Sequence, residues 1–160
     1  MIKKLHHSAY RCRDSEETRA FYEDFLELPL ADVFRIDETK TGRTTNALHS
    51  FFQLGDGSFL AFFEVPGMHF HFIDQHDYDL HIALEVDEVT LQRMLEKGKA
   101  AGIETRGVAD HGFIRSIYFR DPNGYVIELA APTDMAEEYT KNAQKRAHAS
   151  LAEWQSGKSS

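Results

Sequence analysis

His7, His81 and Glu128 are the residues whose types and placing could do chemistry. Two neutral imidazoles and one carboxylate are the donor set that holds Fe(II) and leaves positions open for dioxygen and substrate. Each stands in a strand-like apolar run: HHSAY at 6–10, LHIALEV at 80–86 and YVIELA at 125–130. A lone histidine in a strand is ordinarily a core or surface residue. What sets these apart is a repeat that places two of them at equivalent positions, in a chain rich in nitrogen ligands and aromatic rings, with 9 His and 12 Phe among 160 residues.

The elements that must position them recur twice. A strand at 5–11 is followed by Asp14-Ser-Glu-Glu17, which has capping-box spacing and predicts a helix start. Phe21, Tyr22, Phe25 and Leu26 give that helix an apolar face, and Pro29 is expected to stop it. Strands follow at about 30–37, 47–53 and 58–64, the last two joined by the Leu-Gly-Asp-Gly turn at 54–57. The second half repeats the order: a strand at 80–86, a helix from about 88 with Val89, Leu91, Met94 and Leu95 facing the core, a stop at Gly102, and strands near 103–109, 114–120 and 125–131. Asp121-Pro-Asn-Gly124 turns the last hairpin.

The chain therefore reads as a tandem duplication in α+β form, two βαβββ modules. His7-x-Ala9 lies on His81-x-Ala83, Asp14 on Asp87 and Gly57 on Gly124, which sets Ala61 opposite Glu128. Residues 1–132 are expected to form one domain, with modules at 4–65 and 78–132, and 133–160 to form a helix and tail. Tyr139, Ala143, Ala147, Leu151 and Trp154 recur at helical spacing, so that helix should pack on the sheet or on a second subunit, with 155–160 frayed. The segment 65–79 links the modules and carries His69, His71 and His76, whose role stays open between a solvated loop and acid–base work. His49 and His148 are expected at the surface, and Cys12 in the core.

Three stretches, HHSAYRCRDSEETRAFYEDFLELPL at 6–30, LHIALEV at 80–86 and SIYFRDPNGYVIEL at 116–129, resemble the vicinal oxygen chelate superfamily. That superfamily holds the glyoxalases, the bleomycin and fosfomycin resistance proteins and the type I extradiol dioxygenases. The resemblance covers about residues 4–132 and implies a curved mixed sheet around a divalent metal held by His7, His81 and Glu128. Strand alternation lets only one of His6 and His7 face the metal; the family's first ligand, seven residues before the aspartate that opens the helix, selects His7.

A narrower signature resembles the extradiol enzymes: His111-GFIRS-Ile117-Tyr118-FR-Asp121-Pro122-Asn123-Gly124-YVI-Glu128, departing only at Ala109. It implies that His111 and Tyr118 sit beside a metal-bound catechol, moving protons and steadying developing charge. Glyoxalase-type members add a fourth ligand where this chain has Ala61; Glu64, three residues on, should point to the opposite face. The extradiol acid–base histidine of the fourth strand is also missing, its stretch being Asp56-Gly-Ser58.

The expected function is thus cleavage of a catechol-like ring with dioxygen, using Fe(II), or Mn(II) or another divalent metal. The alternatives are a glyoxalase-like isomerase or transferase on the same metal, and a metal-free resistance-type binder. The aromatic walls would come from residues such as Phe51, Phe63 and Phe113.

Composition excludes other classes. With 42% apolar and 28% charged residues the chain is that of a folded globular protein. Its 18 Lys and Arg against 26 Asp and Glu give a net charge of −8, with no basic stripe for nucleic acid. No apolar run reaches the roughly 18–20 residues a bilayer crossing needs, and no signal peptide is evident, so a cytoplasmic location is expected. One cysteine rules out an internal disulfide. Any homo-oligomer would be additional to the two modules in the chain.

Overall fold

The computed structural model describes residues 1–38 and 41–158. In chain order the elements are β1 (His7–Arg11), α1 (Ser15–Arg19) running on as a π-helical segment (Ala20–Phe25), β2 (Leu30–Glu38), β3 (Thr44–Gln53) and β4 (Phe59–Glu64). They continue with β5 (His81–Glu85), α2 (Glu88–Ala100), β6 (Thr105–Asp110), β7 (Ile114–Arg120), β8 (Val126–Pro132) and α3 (Ala136–Gly157). Two four-stranded sheets result, ordered β1-β4-β3-β2 and β5-β8-β7-β6. In the first, β1 runs parallel to β4 and the other pairs are antiparallel. The duplication expected from the sequence is thus present as two mixed sheets of identical order. No helix among the described residues is long and apolar enough to cross a membrane.

The chain divides into two compact units, Met1–Ile82 with Arg120–Val126, and Ala83–Phe119 with Ile127–Ser160. In the first, Tyr22, Phe21 and Phe25 come down from the helical segment onto Phe52 and Phe62, with Tyr22 and Phe62 ring centres 4.6 Å apart. Cys12 is buried in this layer, as expected, and burial pushes its thiol pKa up. Asp14 caps α1, its carboxylate accepting from the backbone N–H groups of Glu16 and Glu17. The reciprocal half of the box is absent from the described contacts, because the Glu17 carboxylate turns to the Arg13 guanidinium. The helix also ends before Pro29: Glu27 takes a left-handed φ of 67°, a C-terminal exit that places Pro29 outside it.

The Asp-Pro-Asn-Gly turn belongs to this first unit, where it is much more than a hairpin tip. Asp121, 3% exposed, accepts from Tyr22 Oη at 2.9 Å, from the backbone N–H of Asn123 and Tyr125 at 2.9 and 2.8 Å, and from Asn123 Nδ2 at 3.0 Å. Asn123 in turn accepts from the Arg13 N–H and donates to Thr18 Oγ1. Burial pushes the Asp121 carboxyl above its ordinary value against these donors, and burial beside Asp121 pushes the Tyr22 phenol up as well. Gly124, at φ +96°, lies so near the Ile73 carbonyl that a side chain there would collide with backbone.

In the second unit Leu91, Met94, Leu95 and Gly98 form the buried face of α2. Val89, expected on that face, is 77% exposed instead, because in the first turn of the helix it falls outside the 91–94–95–98 stripe. Asp87 caps α2 through the Thr90 N–H, the counterpart of Asp14, and Gly102 takes a positive φ at its end. The third helix continues to Gly157, through residues expected to fray; residues 159–160 of that tail lie outside the described ones. None of its residues is buried, and Leu151 and Trp154 are exposed.

Candidate functional site

His7 opens β1 on the sheet face opposite the helix. Register carries this face across the strands, with Ala9 paired to Ala61, Ala61 to Phe51, Phe63 to His49 and His49 to Phe34. The His7 ring lies 5.6 Å from Phe51 and 6.4 Å from His49, so His7 joins this aromatic face. His6 precedes the strand and meets His7 through their Nδ1 atoms, 2.8 Å apart. Ala61, where a fourth ligand would stand in glyoxalase-type relatives, is buried on the same face and offers no donor. Glu64 points away from it, as alternation predicts, and accepts from the Ser15 N–H.

His49 corrects the sequence reading: it is not at the surface but 5% exposed, stacked 3.6 Å on Phe63 at 12°. Its Nδ1 is 3.0 Å from the Phe62 carbonyl, so Nδ1–H donates and the lone pair lies on Nε2. The period-two run Ala47, His49, Phe51 on a buried strand was the signal for it. Phe51 and Phe63 line this face as expected.

His81, at the start of β5, is exposed, and its Nδ1 lies 2.7 Å from the Asp77 carbonyl. That bond puts the proton on Nδ1 and the lone pair on Nε2, the tautomer a metal-ligating imidazole needs. Glu128 is 5% exposed within the apolar β8, and its Oε1 accepts from Ser116 Oγ at 2.5 Å. His7 and His81 belong to the first unit and Glu128 to the second. Among the described residues no three His, Cys, Asp or Glu side chains form a group that could hold a metal ion. The donor chemistry nevertheless suits a divalent ion: imidazole nitrogens, with the lone pair on Nε2 at His81, and a buried carboxylate oriented by a hydroxyl.

The structure does bring the other predicted pair together. His111, in the turn between β6 and β7, has its Nε2 3.3 Å from the Tyr118 hydroxyl. Arg106, paired with Tyr118 across β6 and β7, holds its guanidinium 5.3 Å from the Tyr118 ring centre. Ser116 and Tyr118 alternate on one face of β7, so the Ser116–Glu128 contact puts Glu128 on the Tyr118 face. His111 also lines a cavity of about 410 Å³ walled by Phe113, Met135, Tyr139, Asn142 and Arg146. Phe113 stacks on Tyr139 with ring centres 3.7 Å apart, anchoring the start of α3.

His69, His71 and His76 are exposed in the linking loop. The rings of His69 and His71 sit 4.4 Å apart, and His76 Nδ1 accepts from the Tyr78 N–H. His148 is exposed on α3.

Solved structures similar to this chain include a glyoxylase/bleomycin resistance protein/dioxygenase domain from Frankia sp. EAN1pec, with TM-score 0.68, 18% identity, and coverage of 83% of this chain and 100% of that one. A glyoxalase/dioxygenase from Nostoc punctiforme aligns with TM-score 0.62 at 22% identity, covering 82% and 92% of the two chains. A glutamate-to-glutamine mutant of the fosfomycin resistance protein FosX from Listeria monocytogenes, complexed with Mn(II) and 1S,2S-dihydroxypropylphosphonic acid, aligns with TM-score 0.63 at 25% identity, covering 86% and 98%. Among curated proteins none matches. The model of the Glyoxalase/Bleomycin resistance protein/Dioxygenase superfamily matches residues 4–129. With two sheets of one strand order and a family match over most of its length, the chain belongs to that superfamily.

Proposed function

We propose that the protein is a metal-dependent extradiol-type dioxygenase that opens the ring of a catechol-like aromatic diol with dioxygen. The observation that carries this reading is the His111–Tyr118 pair, 3.3 Å apart, with His111 also lining a cavity large enough for one aromatic ring. His7, His81 and Glu128 would hold Fe(II), or Mn(II) or another divalent metal. When bound, that ion supplies Lewis-acid activation of the diol and open positions for dioxygen. Ala61 supports three protein ligands rather than four, which favours open positions over the closed site of an isomerase.

His111 accepts a proton at Nε2 and returns it, and Tyr118, within hydrogen-bond reach of that nitrogen, donates through its hydroxyl to charge developing on the substrate. Phe51 and Phe63 present aromatic surface on the His7 face. The reading places the enzyme in the cytoplasm, with the diol and dioxygen as partners and no nucleic acid or membrane.

The test is anaerobic reconstitution with Fe(II), metal analysis, and a panel of substituted catechols followed by oxygen uptake and the yellow ring-opened product together. Coupled oxygen loss and colour support ring cleavage. Metal bound near one per chain without oxygen loss on any catechol overturns it in favour of an isomerase or transferase. Failure to bind metal makes the chain a resistance-type binder.

A further inference from the structure

Resting on the ring-cleavage reading, we propose that the cavity beneath α3 selects aromatic substrates that carry a carboxylate, and that Arg146 binds it. The wall that α3 supplies lies beyond residues 4–129, the part matched to the superfamily. Met135, Tyr139, Asn142 and Arg146 recur at spacings of three and four, which puts them on one helix face, and all four line the cavity.

The Arg146 guanidinium lies 5.4 Å from the Tyr139 ring centre, and Tyr139 is itself stacked on Phe113. A guanidinium that uses its face against a ring keeps its N–H fork for a planar anion, the geometry suited to a carboxylate. Arg13, Arg19, Arg35, Arg115 and Arg120 each pair with an Asp or Glu. Among the described residues Arg146 has no such partner, in a chain whose net charge is −8. Glu138 lines the same cavity two turns before Arg146, so it repels an acid at that end and directs the carboxylate toward Arg146. His111 is on the same wall with its Nε2 at Tyr118, which lets a single-ring acid reach the proposed reacting groups with its ring while Arg146 takes the acid group.

Binding is measured by calorimetry on the Fe(II)-reconstituted protein with 4-hydroxyphenylacetate and its neutral counterpart 4-hydroxyphenethyl alcohol, neither of which is a catechol. The acid should bind at least about tenfold more tightly than the alcohol, a bidentate charge-assisted contact being worth that much or more. Arg146→Gln should bring the ratio close to one, and Arg146→Lys should restore part of it. Equal affinities in the wild type, or a preference for the acid that survives Arg146→Gln, overturns the proposal. Turnover of 3,4-dihydroxyphenylacetate and 4-methylcatechol separates the two readings. Arg146-dependent preference in binding without oxygen uptake keeps the acid site and removes ring cleavage; oxygen uptake with no preference for the acid does the reverse.

Discussion

Replacing Asp121 tests whether its four hydrogen bonds hold the first unit together. In Asp121→Asn the remaining oxygen can keep the two backbone N–H groups of Asn123 and Tyr125. The new amide then faces Tyr22 Oη, which can turn and accept, and Asn123 Nδ2, which is a donor and cannot. The Tyr22 and Asn123 donors both lose this acceptor, Tyr22 regaining one contact as an acceptor, at a net cost of about 1–3 kcal/mol. Asp121→Ala removes both acceptor oxygens and with them all four bonds, and should cost about 3–5 kcal/mol. At roughly 2–4 °C per kcal/mol for a chain of this length, the Asn variant should melt a few degrees low and the Ala variant on the order of 10 °C low.

The pH dependence has a definite sign. Burial raises the Asp121 carboxyl from its ordinary 3.8, so the folded chain binds this proton more tightly than the unfolded chain. Its contribution to stability is greatest below that value and is lost as pH rises through the folded pKa. The amide of the Asp121→Asn variant does not titrate, so the gap between wild type and that variant in urea unfolding should be wider in mild acid than at neutral pH. Loss of less than about 0.5 kcal/mol in the Asn variant, or an Ala variant no worse than Asn, would refute the four-bond account.

Four further outcomes follow. Glu128→Ala should abolish stoichiometric metal binding with the fold retained, and iron still present at one per chain would remove Glu128 from the site. Ser116→Ala takes the hydroxyl from Glu128 Oε1 and should weaken metal affinity by about 10–100-fold, read by competition with a chelator. His111→Ala should keep the metal but slow ring cleavage by about 10²–10⁴-fold in kcat, and unchanged turnover would return His111 to a purely structural role. Gly98→Ala would ordinarily stabilise a helix interior by about 1 kcal/mol; here the added methyl would sit 2.5 Å from Thr105 Oγ1 and 2.6 Å from Phe119 Cε1, so thermal melting should instead show a loss of about 1–3 kcal/mol.

Where a local rule decided the outcome, the sequence was legible. Asp14 and Asp87 cap their helices because a carboxylate there meets free N–H groups, and the two strand orders follow from the duplicated pattern. Legibility failed where a neighbour distant in sequence decided, or where a competing charge lay close by. Glu17 left the capping box for Arg13, and Val89 fell outside a stripe set by what α2 packs against. His49 looked like a surface histidine because its polarity outweighed its position; an aromatic face and one carbonyl from β4 bury it. The terminal helix kept its apolar stripe but buries none of it, meeting the rest of its unit through Tyr139 on Phe113.

The Asp121-Pro-Asn-Gly124 match must therefore be weighed residue by residue. The carboxylate of Asp121 and the amide of Asn123 are engaged with Tyr22, Thr18 and the Arg13 backbone, and Gly124 is required by the Ile73 carbonyl. These residues serve the fold whatever reaction the protein carries out, so their presence says nothing about ring cleavage. Of the same signature, the His111 ring and the Tyr118 hydroxyl meet across 3.3 Å, and Glu128 is a carboxylate buried in an apolar strand with Ser116 Oγ on its Oε1. A buried carboxylate in an apolar strand costs stability unless hydrogen bonds or a counter-charge offset it, and the Ser116 hydroxyl at 2.5 Å is one such contact. The proposed chemistry therefore draws on those three residues and not on the Asp121–Gly124 turn.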